Sequence, residues 1–342
     1  MRNLMCRATV AGLALAACLG LQPVPGSANE PTVEVSVQLD WLYQGPNIGF
    51  IMASELGYYA EEGLAVEISQ GRGSGSTAQL VASKSVDFGF ADGYTVANTI
   101  SRGADIRSVA GIYRANPAAV IVRADSPIME PRDLEGRTIG IPTGSAQFQQ
   151  WPAFTRGCDI DQSQVNVVNI DPAGAVPAVI NRQVDAIAGF AQGYVPALEV
   201  RAGVDARIFW FRDCGVVTVS NTIIVHTDMI EQRPEIIAPF VRASVRGFLY
   251  ARANPDEAAA TLREYLETAI DEVTLREMEL SWEIWVTEPT RGQPLGWMSA
   301  EEWDATIEVL MTYGGMEQAL EPARVFTNDY VPEGDEFVPP DL

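Results

Sequence analysis

Short apolar runs and stretches of helical period alternate along the first two thirds of the chain. Residues 33–39, 65–69, 86–91 and 106–112 are predicted as strands, with helices over 49–60, 76–83 and 94–101 between them. The strands are nearly continuous apolar runs and the links are short. That combination predicts βα units in a mainly parallel sheet with helices on both faces. A second set begins at 118–122 and continues through strands at 138–141, 165–170, 186–190 and 208–211. Its helices are expected at 146–156, 173–182 and 194–201. The apolar stretch 216–226 can lead the chain back out.

From residue 233 onward the pattern is helical. Ile237, Val241, Val245, Phe248 and Leu249 fall on one helix face. Asn254, Pro255 and Glu257 have the form of a helix start: a capping side chain, Pro in the first turn, and Glu three residues on. Leu275, Met278, Trp282 and Trp285 form another apolar face, which reads as core packing ahead of an aromatic cage, while Trp151 can be read either way. Ser299 with Glu302 opens a last helix that Gly314-Gly315 closes. Two α/β units and a helical return fit a two-lobed α/β clamshell with ligand in the cleft between lobes. The expected division is 29–115 for the first part of lobe 1, 116–218 for lobe 2, and 219–342 for the return to lobe 1 and the C-terminal helices. Residues 113–117 and 214–221 are the hinge candidates.

Residues 1–28 stand apart from this pattern. Arg2 and Arg7 flank a basic start, residues 8–21 are a small-residue apolar run, and Gly26-Ser27-Ala28 offers a cleavage site. This is the form of a signal peptide, so the mature protein is expected to be exported and periplasmic. Leu15-Ala16-Ala17-Cys18 also has the form of a lipobox, the alternative in which Cys18 carries a lipid anchor. The formal charge of −22 becomes −24 once the two leader arginines are removed. Such an acidic chain is repelled by nucleic acid, which is not expected as a partner. Only Cys158 and Cys214 lie outside the leader, and two cysteines so far apart leave a disulfide and two buried thiols equally open.

Candidate chemistry collects at strand ends. Asp40 and Trp41 close the first strand, where an open α/β sheet presents its ligand. An indole can stack on a flat ring and a carboxylate can accept from its amino group. Tyr43, Gln44 and Asn47 occupy the turn that follows. Asp92 and Tyr94 follow the third strand; Gly144, Ser145 and Gln147 hold the equivalent place in the second unit. Phe190 and Gln192 follow its third strand, and Asn221 sits beside the return crossing. The glycine-rich segment Gly71-Arg72-Gly73-Ser74-Gly75-Ser76-Thr77 leads into a helix and can either expose N–H groups, with Ser74 in the site, or serve only as a turn. It lacks the Lys-Ser/Thr ending of a nucleotide-binding loop. No Cys/His spacing suggests a metal, and no cofactor is expected.

With these readings in place, the chain resembles the periplasmic solute-binding proteins of ABC importers, in the NMT1/THI5-like group of nitrate, sulfonate and thiamine-pyrimidine-precursor binders. The resemblance rests on Leu39-Asp40-Trp41, on Gly57-Tyr58-Tyr59-Ala60-Glu61-Glu62-Gly63-Leu64, on Val86-Asp87-Phe88-Gly89 and on Asp133-Leu134-Glu135-Gly136-Arg137. Val184-Asp185-Ala186 and Ala253-Asn254-Pro255-Asp256-Glu257 complete it. It implies a type II binding-protein clamshell, acting as a monomer, that delivers a small solute to ABC permease subunits in the membrane. Asp40-Trp41 and the tail Phe326-Thr327-Asn328-Asp329-Tyr330 look most like the thiamine-pyrimidine branch, which implies a heteroaromatic, pyrimidine-like solute. Members of that branch often carry a His in the turn occupied here by Tyr43-Gln44-Gly45-Pro46-Asn47, and an acidic residue near Phe190 and Gln192. The alternatives are a small anion such as taurine or nitrate, for which the loop around Ser74 would serve, or riboflavin.

An enzyme of the pyrimidine-synthase type is a further alternative. Such enzymes need a lysine for pyridoxal phosphate, a donor histidine and a cysteine-rich motif. Lys84 is the only lysine and reads as a surface turn; His226, the only histidine, reads as a core residue. No Gly-x-Ser-x-Gly elbow surrounds any serine. Catalysis is therefore not expected.

Overall fold

The computed structural model describes residues 32–340. The signal peptide expected over 1–28, and with it the choice at Cys18, lies outside the described residues. The strands, in chain order, are β1 (Val33–Gln38), β2 (Leu64–Ser69), β3 (Phe88–Asp92), β4 (Ile106–Gly111), β5 (Ala118–Arg123), β6 (Thr138–Gly140), β7 (Asn166–Val168), β8 (Ala186–Phe190), β9 (Ala206–Trp210) and β10 (Asn221–His226). They build two sheets, ordered β2-β1-β3-β10-β4 and β7-β6-β8-β5-β9.

In the first sheet β1 pairs parallel with β2 and β3, and β10 runs antiparallel between β3 and β4. The second repeats the plan, with β6 parallel to β7 and β8 and β5 antiparallel between β8 and β9. Four strands of each sheet point one way and one opposes them, so both sheets are mixed. The opposing strand is in each case the one that arrives from the other sheet. It enters across a direct crossing, at 112–117 or 215–220, instead of through the helical crossover that makes neighbours parallel. Strands β3 and β5 are buried at nearly every position, as continuous apolar runs covered on both faces require.

The face Ile237, Val241, Val245, Phe248 of helix Pro234–Ala253 is buried on the first sheet, with Leu249 at its edge. Phe88 of β3 stacks on Phe240 at 3.8 Å. Trp285 is buried edge-on to Phe248, and Trp282 packs beside the same cluster, so both indoles belong to the core. Trp151 is core too, tilted against Phe154. One apolar cluster runs through both halves: Val120 and Ile139 of the second sheet join Tyr94 and Val96 of helix Gly93–Ser101, which follows β3, and Trp303 of the C-terminal part. Asn116, in one crossing, donates to Thr218 in the other at 2.9 Å and to Gln150 at 3.2 Å, while its Oδ1 accepts from Ala118 N.

Several local expectations are corrected. The helix expected over 49–60 is two, Ile48–Glu55 and Tyr58–Glu61, broken by Gly57 in the left-handed region at φ 75°. Only Asn221–His226 of the stretch 216–226 is strand. Asn254 and Ser299 do precede helices Pro255–Tyr265 and Ala300–Val309, but neither side chain caps; Asn254 Nδ2 turns back to Tyr250 O. His226 is not a core residue: it ends β10, and its Nδ1 accepts from Asp228 N to cap helix Thr227–Gln232. Lys84 does sit in a turn, ion-paired with Asp228. No helix of the described residues is long and apolar enough to cross a membrane.

Cys158 and Cys214 form a disulfide, with Cα atoms 5.0 Å apart and a sequence separation of 56. It joins the end of helix Ala146–Gly157 to the segment after β9, both packed on the second sheet. Closing a loop of that length removes enough unfolded-state freedom to contribute about 2–4 kcal/mol. Replacing Cys158 or Cys214 with Ser should lower the urea midpoint by the equivalent of that amount; an unchanged midpoint would show that packing alone holds the segment.

Candidate functional site

The C-terminal ends of β1 and β3 converge where the lobes meet. Asp40, two residues past β1, is buried, and its Oδ2 accepts from Asn221 Nδ2 at 2.7 Å. Its backbone O accepts from Gly73 N, and Trp41 O from Gly71 N. The glycine-rich segment therefore clamps the Asp40-Trp41 backbone and sets both side chains toward the cleft. Asp92 ends β3 fully buried. Its Oδ1 accepts from Thr95 N and Oγ1, capping helix Gly93–Ser101, and from Gln150 Nε2 across the cleft at 3.0 Å. Its Oδ2 is buried without a partner. Ser74 Oγ accepts from Asp92 N.

The opposite wall comes from two helix starts. Ser145 caps helix Ala146–Gly157 through Phe148 N, which places Gln147 in the first turn. Phe190 ends β8 and opens helix Ala191–Ala202, which places Gln192 and Tyr194 in its first turn. Gln147 Nε2, Gln192 Oε1 and the Tyr194 hydroxyl are all buried with no hydrogen-bond partner. Buried polar atoms are rarely left so, because each lost bond costs about 1–3 kcal/mol. Trp41 meets Tyr194 edge-on, ring centroids 6.1 Å apart. The cavity between the walls holds about 470 Å³ including its mouth.

Of the residues expected from sequence, Asp40, Trp41, Gln44, Ser74, Ser145, Gln147, Phe190 and Gln192 line this cavity. Asn221 and Asp92 stand directly behind it. Four others are engaged elsewhere. The Tyr43 hydroxyl donates to Ile68 O, and its ring packs edge-on to Tyr265. Asn47 holds the turn, accepting from Gln44 N and donating to Leu42 O. Tyr94 is buried in the cluster common to both halves. Gly144 contributes only its carbonyl, which accepts from Gly75 N at 3.0 Å across the cleft. Gly73 is needed at that approach, since at φ 133° a Cβ would overlap Gly144 O.

The lining also contains Pro46, Gly73, Tyr113, Ala146, Gly193 and Tyr194, which sequence reasoning did not select. Tyr194 had a signal: it stands two residues after Gln192, inside the first turn of a helix that starts at the strand end. Tyr113 lies in the crossing and donates to Pro46 O, so its place depends on long-range packing.

Burial sets the electrostatics. Desolvation pushes the Asp40 carboxyl from 3.8 up to about 7, against the opposing Asn221 hydrogen bond. Asp92 rises to about 7 for the same reason, opposed by bonds from Thr95 and Gln150 and aided by the Asp40 charge. Glu277, from helix Asp271–Trp282, accepts from Gly45 N at 2.8 Å and is pushed up to about 8 by burial. The cleft is thus bordered by three reluctant carboxylates and a stacking indole, with polar atoms waiting on the far wall. Among the described residues no group of acidic, His and Cys side chains is placed to hold a metal.

The family model described as NMT1/THI5 like matches residues 46–258. The chain is 28% identical to the riboflavin-binding protein RibY of Chloroflexus aurantiacus, over 91% of this chain and 90% of that protein. It is also 28% identical to the formylaminopyrimidine-binding protein of Halalkalibacterium halodurans, over 92% and 95%. A 4-amino-5-hydroxymethyl-2-methylpyrimidine phosphate synthase of Legionella pneumophila matches less of the chain, at 23% over 66% of it and 71% of that protein. The first two of these, matched over nine tenths or more of their own length, are named as binding proteins. The solved structure of the alkanesulfonate-binding protein SsuA from Xanthomonas axonopodis superposes with a TM-score of 0.66 at 14% identity, over 88% of this chain and all of that one. That likeness shows the fold, a type II periplasmic-binding-protein clamshell.

Proposed function

The chain belongs to the NMT1/THI5-like family, and from that premise we propose that it is the exported, periplasmic solute-binding component of an ABC importer. It captures a small heteroaromatic, pyrimidine-like solute and, as a monomer, presents its closed form to permease subunits in the membrane. The observation that carries the reading is the set of unpartnered polar atoms on the second wall, Gln147 Nε2, Gln192 Oε1 and Tyr194 OH, facing Trp41 and Asp40. A flat ring lying on the indole presents alternating donors and acceptors along its edge, and two amides with a hydroxyl can match either kind. Residues from both lobes must take part, which is what makes ligand favour closure. The two crossings, tied by Asn116, serve as the hinge.

The anion alternative meets two obstacles. Four N–H groups of the glycine-rich segment are already engaged: Gly73 N on Asp40 O, Gly75 N on Gly144 O, and Ser76 N and Thr77 N on Gly73 O. Two buried carboxyls beside the cavity, Asp40 and Asp92, would oppose a negative solute once ionised, above about pH 7. The enzyme alternative lacks its groups, since Lys84 and His226 are bound up with Asp228 away from the cavity.

A thermal-shift panel tests the proposal. Pyrimidines or flavins in excess of Kd should raise the melting temperature, by the logarithm of ligand over Kd. A shift with taurine or nitrate and none with ring compounds would overturn the ligand class. Turnover of a ring compound would overturn the receptor reading itself.

A further inference from the structure

Gln150 sits on helix Ala146–Gly157 of the second lobe, fully buried and apart from the residues that line the cavity. Both ends of its amide reach out of that helix. Nε2 donates at 3.0 Å to Asp92 Oδ1, at the end of β3 in the first lobe. Oε1 accepts at 3.2 Å from Asn116 Nδ2 in one crossing, and the same Nδ2 donates to Thr218 Oγ1 in the other. One buried side chain thus ties the first lobe to the second and to both crossings. The neighbouring Gln149 also bonds between the lobes, accepting from Asn98 Nδ2 at 2.8 Å, but it is only half-buried. Arg72 and Asp171, paired between the lobes at 3.6 Å, are largely exposed. Exposed bonds and ion pairs are exchanged for water at little cost, whereas a buried amide has no such substitute.

We propose that Gln150 is a positioning residue that acts as a latch: it holds the lobes together before solute enters and touches no part of the solute. Rotation about the crossings carries the end of β3 away from helix Ala146–Gly157, so the bond to Asp92 exists only in the closed form. Burying an amide costs free energy unless both of its ends are bonded, and here both bonds go to groups outside its own helix. An apolar side chain of equal length would fill the space without that dependence on closure. Removing the amide strands neither partner, since Asp92 Oδ1 keeps Thr95 N and Oγ1 and Asn116 Nδ2 keeps Thr218. The latch deepens the receptor reading above and rests on it only for the solute. A buried hydrogen bond lost here shifts the balance of closed and open forms by about two- to tenfold. Apparent affinity falls with the closed fraction.

Small-angle X-ray scattering of the full mature chain without solute tests the latch. The parent should scatter as the closed structure. Gln150→Met should lower the closed-to-open ratio by about two- to tenfold and enlarge the radius of gyration. Gln150→Asn, an amide one methylene too short to span Asp92 and Asn116, should open the lobes as far and guards against a methionine that fails to pack. Gln149→Met, the same change one residue away, should match the parent. A merely structural glutamine would lower the melting temperature without changing the scattering. A parent already open without solute, Gln150 variants that stay closed, or equal opening by Gln149→Met each overturns the latch. For every solute found in the thermal-shift panel, Gln150→Met should raise Kd by one common factor, up to about tenfold. Factors that differ between solutes make Gln150 a solute contact and overturn the latch, with the receptor reading intact. Opening by the Gln150 variants with no solute of the panel bound leaves the latch standing and overturns the receptor reading.

Discussion

Trp41→Ala should lower affinity for the ring solute by about 5- to 150-fold while moving the melting temperature of the free protein little. The indole is only partly buried, resting against Tyr194 at the edge of the second-lobe cluster. Truncating it removes a stacking face, and a face lost from an aromatic ligand site amounts to about 1–3 kcal/mol from stacking and buried area together. Trp285→Ala is the control with the opposite signature. That side chain is buried on Phe248 under the first sheet, so its loss should cost about 3–5 kcal/mol of stability, with ligand affinity retained under conditions where the variant is folded. Fluorescence titration and urea unfolding on both variants separate the two roles. Equal affinity losses would sink the stacking role of Trp41.

The contrast between these two tryptophans also shows what could be read from the chain before folding. Helical spacing with Leu275, Met278 and Trp282 marks Trp285 as core. The helix ends at Trp282, however, and Trp285 reaches the first-sheet cluster from the segment beyond it, so the right burial comes from a period that does not hold there. Asp40, Trp41, Ser145 and Gln192 were legible because strand ends in α/β folds face ligand whatever the sequence around them. Position in a turn was a weaker guide. Tyr43 and Asn47 follow Trp41 closely, yet each is held by a backbone carbonyl instead, Ile68 O near the end of β2 and Leu42 O within the turn. Tyr113, Pro46 and Gly193 reach the cavity only because a crossing, a turn and a second-lobe helix converge there. Nothing local announces such convergence. The antiparallel course of β5 and β10 was hidden for a related reason: apolar runs report burial on both faces and are silent on direction. The disulfide was left open by two cysteines and closed by the packing of helix Ala146–Gly157 against residue 214.

The buried carboxyls give the second large effect, a dependence of stability on pH opposite to that of salt-bridged acids. Asp40 and Asp92 are raised from 3.8 to about 7 by desolvation. Between those values the folded protein holds protons that the unfolded chain has released, so the folded state binds more and loses stability as pH rises. Stability from these groups is complete below about pH 4, falls through the interval, and levels off above pH 7. Each carboxyl contributes on the order of 1.4 kcal/mol per pH unit across it, up to about 4 kcal/mol apiece. Glu277, raised to about 8, extends the decline by a further unit. Asp40→Asn keeps an acceptor for Asn221, and Asp92→Asn keeps one for Thr95 and Gln150, while neither can ionise. The ligand-free variants should therefore melt higher than the parent at pH 8, by less at pH 5, and level with it only below about pH 4. Ligand should narrow the difference at pH 8, because a ring N–H donated to Asp40 stabilises the charged carboxylate and lowers its pKa. For the same reason affinity should rise between pH 6 and 8 in the parent and be flat in Asp40→Asn. Parallel melting curves for all three proteins from pH 5 to 8 would mean that the free lobes stand open and the carboxyls are hydrated until solute arrives.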